Sequence, residues 1–142
     1  MQSKQYTTWK HKHLIDVDDL SIQEWSLIFK IANKYENALK HKKSIPPLLK
    51  NSNIFNIFFE PSTRTRASFE LAAKLLGANV INITSELSSV QKGESLEDTI
   101  KTVSAMYSDI IILRHEDSGA ATFASTHTNK SIINAGDGSH AH

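Results

Sequence analysis

Ile54-Phe-Asn-Ile-Phe-Phe-Glu-Pro-Ser-Thr-Arg-Thr-Arg-Ala-Ser-Phe-Glu-Leu-Ala-Ala-Lys-Leu-Leu-Gly77 decides the fold. Ile54, Phe55, Ile57, Phe58 and Phe59 form a short apolar run of the kind that suits a strand covered on both faces of a parallel sheet. Pro61 ends it, and from about Ser62 the spacing of Phe69, Ala72, Ala73 and Leu76 predicts a helix with Gly77 as its stop. A helix start leaves backbone N–H groups unpaired and carries partial positive charge, so the junction is a seat for an anion. Ser62, Thr63 and Thr65 add hydroxyl donors there, and Arg64 and Arg66 add guanidinium groups able to grip phosphate or carboxylate oxygens in pairs. An ordinary cap with two solvated arginines would be the simpler reading of a single serine. Five anion donors in five consecutive residues point instead to a phosphate site.

Working outward, the remaining arginine strengthens this reading. Lysine supplies nearly all other positive charge, and the only arginines are Arg64, Arg66 and Arg114. Arg114 directly follows the apolar run Ile110-Ile111-Ile112-Leu113, where another strand should end. In open α/β sheets ligands sit beyond the carboxyl ends of the strands, where strand order reverses. An order of 2-1-3-4 would make strands one and three neighbours and turn Arg114 towards the Ser62–Arg66 segment.

The rest of the chain fits one such unit. A capping box at Ser21 and Glu24 predicts a helix whose stripe of Trp25, Ile28, Phe29, Ala32, Tyr35 and Leu39 would face the core. Pro46-Pro47 closes that section. Residues 79–83 read as strand two and 84–94 as a long polar loop of the kind that often carries function. Ser95 and Asp98 cap a helix with Leu96, Ile100, Val103 and Tyr107 on one face. Strand three follows at 109–113, a weaker helix at 119–126, and a short fourth strand at 131–135 before Gly136-Asp137-Gly138. Alternating strands and helices predict an α/β fold: a three-layer parallel sheet of about four strands flanked by helices.

Composition narrows the function. The 142 residues suffice for one domain with a substantial core, and a formal net charge of +1 with interspersed signs gives no footprint for nucleic acid or an acidic membrane. The absence of cysteine excludes disulfides, thiolate metal sites and cysteine nucleophiles. No Gly-rich Gly-Lys-Ser/Thr signature of a P-loop occurs. With neither a secretion signal nor an apolar run of membrane-spanning length, a cytoplasmic enzyme is the expectation. His140 and His142 could suggest a metal pair, but no cysteine or matched His/Asp cluster completes one, so neither a metal nor a cofactor is expected. Lone histidines such as His115 and His140 are usually packing or surface residues.

Phe58-Phe-Glu-Pro-Ser-Thr-Arg-Thr-Arg66 resembles the carbamoyl-phosphate motif of the aspartate and ornithine carbamoyltransferases, and Glu60-Pro61 resembles the aspartate branch. The resemblance extends to His13-Leu14-Ile15, Gln91-Lys92-Gly93-Glu94-Ser95, Leu113-Arg114-His115 and Asn134-Ala135-Gly136-Asp137-Gly138. It implies transfer of a carbamoyl group from carbamoyl phosphate to L-aspartate, giving N-carbamoyl-L-aspartate and phosphate, in pyrimidine biosynthesis. Ser62, Thr63, Arg64 and Thr65 would hold the phosphate, and Thr65, Arg114 and His142 would polarise the carbonyl oxygen. Ser88 and Lys92 would reach the active site of a neighbouring subunit, which implies a homotrimer, with regulatory chains a further possibility.

By the same resemblance residues 1–142 are the carbamoyl-phosphate half. The Pro-Thr-Gln continuation and the aspartate-binding domain would lie beyond His142, and Glu60 would bridge to that domain. The chain alone is then expected to bind the phosphorylated substrate weakly and not to turn over. The alternatives are an ornithine carbamoyltransferase, or a non-catalytic phosphate-binding or scaffold module of the same fold.

Overall fold

The computed structural model describes residues 9–84 and 93–140. Its elements run α1 (Ile22–Lys40), β1 (Asn53–Phe58), α2 (Thr63–Leu75), β2 (Asn79–Thr84), α3 (Leu96–Ala105), β3 (Ile110–His115), α4 (Ala120–Thr126) and β4 (Ser131–Asp137). The four strands form one sheet in the order β2-β1-β3-β4, every pair parallel. This is the expected order. The chain steps from β1 to β2 on one side, then crosses to β3 on the other, so the direction reverses between β1 and β3.

Alternation along the strands assigns the layers. Phe55 and Ile57 of β1 join Ile111, Leu113 and Ile132 in a core closed by Ile100 and Val103 of α3 and Ala121 and Ala124 of α4. Ile54 and Phe58 point the other way, joining Ile112 and Ala135 under Ala73 of α2. Burying each such Ile, Leu or Phe contributes about 1.5–3 kcal/mol, so the two central strands anchor the fold. α1 lies on the α2 side, where Tyr35, Leu39 and Ile45 share an apolar groove with Ala72, Leu75 and Leu76.

The sheet margins are held differently. β2 is largely exposed, and its register is pinned by asparagines set opposite one another. Asn79 donates to Asn53 at 3.1 Å, and Asn56 donates to Asn82 at 2.9 Å. Asn82 in turn donates to Glu70 of α2. A one-residue slip would break both amide pairs and turn Val80 outward. On the far margin Leu14 adds a parallel bridge to Ile133, donating to Ile132 O and accepting from Asn134 N, both at 2.8 Å.

Three sequence expectations need correction. Of α1 only Glu24 is buried; Trp25 is half-buried, Phe29 is 60% exposed and Ala32 is exposed, so the stripe does not enter the core. α3 stops at Ala105, and Tyr107 lies beyond it at φ 58°, 82% exposed, because the chain must turn sharply into β3; Thr99 joins Ile100 and Val103 at the core instead. β3 runs on through Arg114 and His115, so Arg114 is part of the strand rather than following it.

Candidate active site

Helix α2 begins directly beyond the β1 end, and its first turn is unlike those of α1 and α3. Ser62 occupies the cap position but makes no side-chain cap hydrogen bond, and no acidic residue stands in the first turn. The Ser62 hydroxyl is therefore not spent on the helix, and the helix-start amides have no side-chain cap acceptor. Two concavities flank this start. One is lined by Phe58, Glu60, Pro61, Ser62, Thr63, Arg66 and Thr84. The other is lined by Arg64, Thr65, Ser68 and Phe69 together with Asn134 and Ala135 of β4. The donors of 62–66 thus divide between two faces of the helix start, with Arg64 and Thr65 turned towards β4.

Arg114 arrives from β3. It pairs in register with Phe58 of β1, and its backbone carbonyl accepts from Phe59 N at 2.9 Å. Its side chain is 17% exposed: Nε donates to Glu60 Oε2 at 3.0 Å and Nη1 to Ala135 O at 3.2 Å. Because Glu60 stands two residues before Ser62, this pair ties Arg114 to the entrance of α2. Glu60, which the resemblance assigns to a bridge with a second domain, thus has a partner within this chain. Glu60 engages the Arg114 guanidinium through Nε, and an incoming anion would compete with it.

A local irregularity makes room for that guanidinium. Between Leu113 and His115 the β3–β4 register shifts: Leu113 faces Asn134, whereas His115 faces Asp137. Such a bulge re-aims the side chain at its centre. Gly136 sits there at φ 125°, and a Cβ on it would come within 2.9 Å of Arg114 Nη1. Gly138, at φ 58°, leaves similar space for Glu116 O and Ser118. Asp137 is 1% exposed and accepts from Asn134 Nδ2 and Gly119 N, both at 2.9 Å. Burial alone would raise its pKa, but these bonds and His140 outweigh it and hold the carboxyl below its ordinary value.

Against this geometry stand the comparisons with known proteins. A family model described as "Aspartate/ornithine carbamoyltransferase, carbamoyl-P binding domain" matches residues 12–142. The chain belongs to this family. Among curated carbamoyltransferases, the aspartate carbamoyltransferase catalytic subunit of Roseiflexus castenholzii is 47% identical over 133 residues, covering 94% of this chain and 42% of that protein. The corresponding subunit of Rhodospirillum centenum is 44% identical, covering 100% and 45%. Among solved structures, the catalytic subunit of M. jannaschii aspartate transcarbamoylase superposes with a TM-score of 0.83 at 49% identity, covering 93% of this chain and 43% of that one. Aspartate transcarbamoylase from Trypanosoma cruzi, solved in complex with carbamoyl phosphate and aspartate, gives 0.83 at 32%, covering 91% and 40%. The chain thus spans less than half the length of these relatives.

Of the residues singled out from sequence, Ser62 and Thr63 line one concavity at the α2 start and Arg64 and Thr65 the other, while Arg114 lines neither and is tied to the segment before the helix through Glu60. Ser88, Lys92 and His142 lie outside the described residues. His115 is a packing residue: its ring meets Phe59 edge-on at 4.8 Å and its Nδ1 accepts from Asp117 N. Sequence reasoning passed over Asn134, Ala135, Gly136 and Asp137 as functional positions. Gly136-Asp137-Gly138 marked the turn; nothing in the spacing said that a bulge there frames Arg114.

No helix among the described residues is long and apolar enough to cross a membrane. Nor do three or more His, Cys, Asp or Glu side chains gather there in an arrangement able to hold a metal.

Proposed function

We propose that this chain is the carbamoyl-phosphate half of an aspartate carbamoyltransferase that makes N-carbamoyl-L-aspartate and phosphate from carbamoyl phosphate and L-aspartate, for pyrimidine biosynthesis in the cytoplasm. The observation that carries this reading is the uncapped start of α2, with the Ser62 hydroxyl unspent and Arg114 held beside it. The names of the relatives given above, each an aspartate carbamoyltransferase or aspartate transcarbamoylase, favour aspartate over ornithine as acceptor.

In this reading Ser62, Thr63, Arg64 and Thr65 cradle the phosphate with the helix-start amides, and Thr65, Arg114 and His142 donate to the carbonyl oxygen. The aspartate amine attacks the carbonyl carbon, forming the new C–N bond as charge gathers on that oxygen. Collapse of the tetrahedral intermediate breaks the C–O bond to phosphate, which leaves with the proton given up by the amine. Preorganised donors act on both growing charges, and each typically lowers the barrier by about 3–4 kcal/mol. Ser88 and Lys92 complete the cradle of a neighbouring copy in a homotrimer, and regulatory chains are further candidate partners. The aspartate-recognising groups lie outside this chain.

Calorimetry with carbamoyl phosphate tests the reading on the assembled enzyme that contains this chain. Saturable binding abolished by Arg64→Ala is expected. No uptake in the unsubstituted protein, or an unchanged isotherm in the variant, overturns it.

A further inference from the structure

We propose that His140 is a positioning residue: protonated, it clasps the β4 end to the N-terminal segment and so fixes the turn against which Arg114 lies. Both ring nitrogens face carboxylates. Nδ1 is 3.1 Å from Asp137 Oδ1 and Nε2 is 3.1 Å from Asp16 Oδ2. A neutral imidazole carries one N–H, so one contact would set a lone pair against a carboxylate oxygen; only the imidazolium satisfies both.

The two carboxylates belong to different parts of the chain. Asp16 lies in the segment whose Leu14 bridges β4, and its other oxygen accepts from Asp18 N. Asp137 is the buried last residue of β4. From it hydrogen bonds lead to the site. Asn134 Nδ2 donates to Asp137 Oδ1 and to Ile15 O, Asn134 Oδ1 accepts from Gly136 N, and Ala135 O accepts from Arg114 Nη1. Holding Asp137 therefore holds Ala135 and Gly136, the two residues that abut the guanidinium.

The surroundings favour the charged ring. Asp18 lines the same cleft as His140, and the loop packed under the turn, Glu116 to Ser118, brings two further carboxylates and no cation. The hydrogen bond to Asp137 and that carboxylate's charge, with a smaller contribution from Asp16, raise the His140 pKa above its ordinary value against a modest cost of burial. A raised value in the folded state means the clasp is fully formed below the ordinary histidine pKa and is lost as pH rises through the folded one.

The role at Arg114 stands on the geometry just given; its consequence for catalysis rests on the function proposed above. Side-chain NMR on the intact chain separates the two. The His140 ring nitrogens and Arg114 Nε–H are followed from acid to alkaline pH in the unsubstituted protein, in Asp16→Asn and in His140→Gln. The Arg114 resonance is expected to shift with the His140 midpoint, the midpoint to fall in Asp16→Asn, and the Arg114 shift to vanish in His140→Gln.

A ring that titrates at its ordinary value, an Arg114 resonance that stays flat, or one that still shifts in His140→Gln overturns the proposal. Sulfate, which does not titrate in this range, serves as the anion probe. Its affinity should weaken above the midpoint in the unsubstituted chain and become pH-independent in His140→Gln. Failure of sulfate to bind at any pH overturns the phosphate-site reading, while the two resonances still decide the clasp.

Discussion

Helices α1 and α2 both begin on a serine, and the residue three places on separates a sealed end from an open one. In α1 that residue is Glu24: the Ser21 hydroxyl accepts from Glu24 N, and Glu24 Oε2 accepts from Ser21 N at 2.9 Å. Helix α3 repeats the pattern, with Ser95 accepting from Asp98 N and Glu97 and Asp98 in its first turn. In α2 the third residue is Thr65, no carboxylate enters the first turn, and Ser62 makes no cap bond. An acid at this place would occupy the donors that an external anion needs. Leaving it out forgoes about 1 kcal/mol of capping and keeps a positive helix end open to ligand. α1 and α3 show how the same protein closes a helix when nothing is to be bound.

The largest break in that comparison is expected at Arg114, which in the proposed function joins the α2 donors in holding the substrate. In the assembled enzyme Arg114→Ala should lower kcat by roughly a hundred- to a thousandfold, the loss of one preorganised donor. The fold should tolerate it: Glu60, left alone, stays partly hydrated at the surface. Steady-state kinetics with carbamoyl phosphate and aspartate checks this, and a loss of only a few-fold would remove Arg114 from the reaction. Next comes Thr65→Glu, which writes the α1 arrangement into α2. The helix should gain about 1 kcal/mol, raising the melting temperature by about 2–4 °C, while carbamoyl-phosphate binding disappears from calorimetry. Lower stability together with retained binding would show that the open end was never kept for a ligand.

How legible this was from sequence differs by residue. The strand order followed from apolar runs of strand length separated by helical stripes, and the observed sheet has that order. The donors at 62–66 were visible because five of them are contiguous. Glu60 could be read as a residue with a distant partner, but not as the partner of Arg114, since a pairing 54 residues apart depends on β1 and β3 being neighbours in register. The α1 stripe misled because a periodic apolar face marks where a helix can bury surface; it does not say that the cover lies within the same stretch of chain. The β3–β4 bulge was invisible, as a one-residue register shift leaves the alternation of Ile132 and Ile133 unchanged.

Smaller effects sharpen the contrast. Glu60→Gln removes the charge that competes for Arg114, so anion affinity measured on this chain should rise several-fold, the scale of a partly solvated ion pair of up to about 1 kcal/mol. Sulfate titration followed at Arg114 Nε–H checks it; weaker binding would mean that Glu60 orients the guanidinium more than it occupies it.

The smallest expected effect lies at the sealed end. Bonds from the Ser21 side chain and backbone, helped by His11, outweigh burial and hold the Glu24 carboxyl below its ordinary 4.5. A depressed value in the folded state means that the cap contributes above the ordinary carboxylate range and is lost as pH falls through the folded one. As pH falls below the ordinary carboxylate range the amides of the first α1 turn should therefore shift as Glu24 takes up its proton, whereas those of the first α2 turn, which has no acid, should shift less. Ser21→Ala should cost about 1 kcal/mol by denaturant unfolding and move the Glu24 titration back towards its ordinary range. If α2 instead titrates like α1, a carboxylate reaches its first turn in solution, and the difference between the two ends is not one of capping.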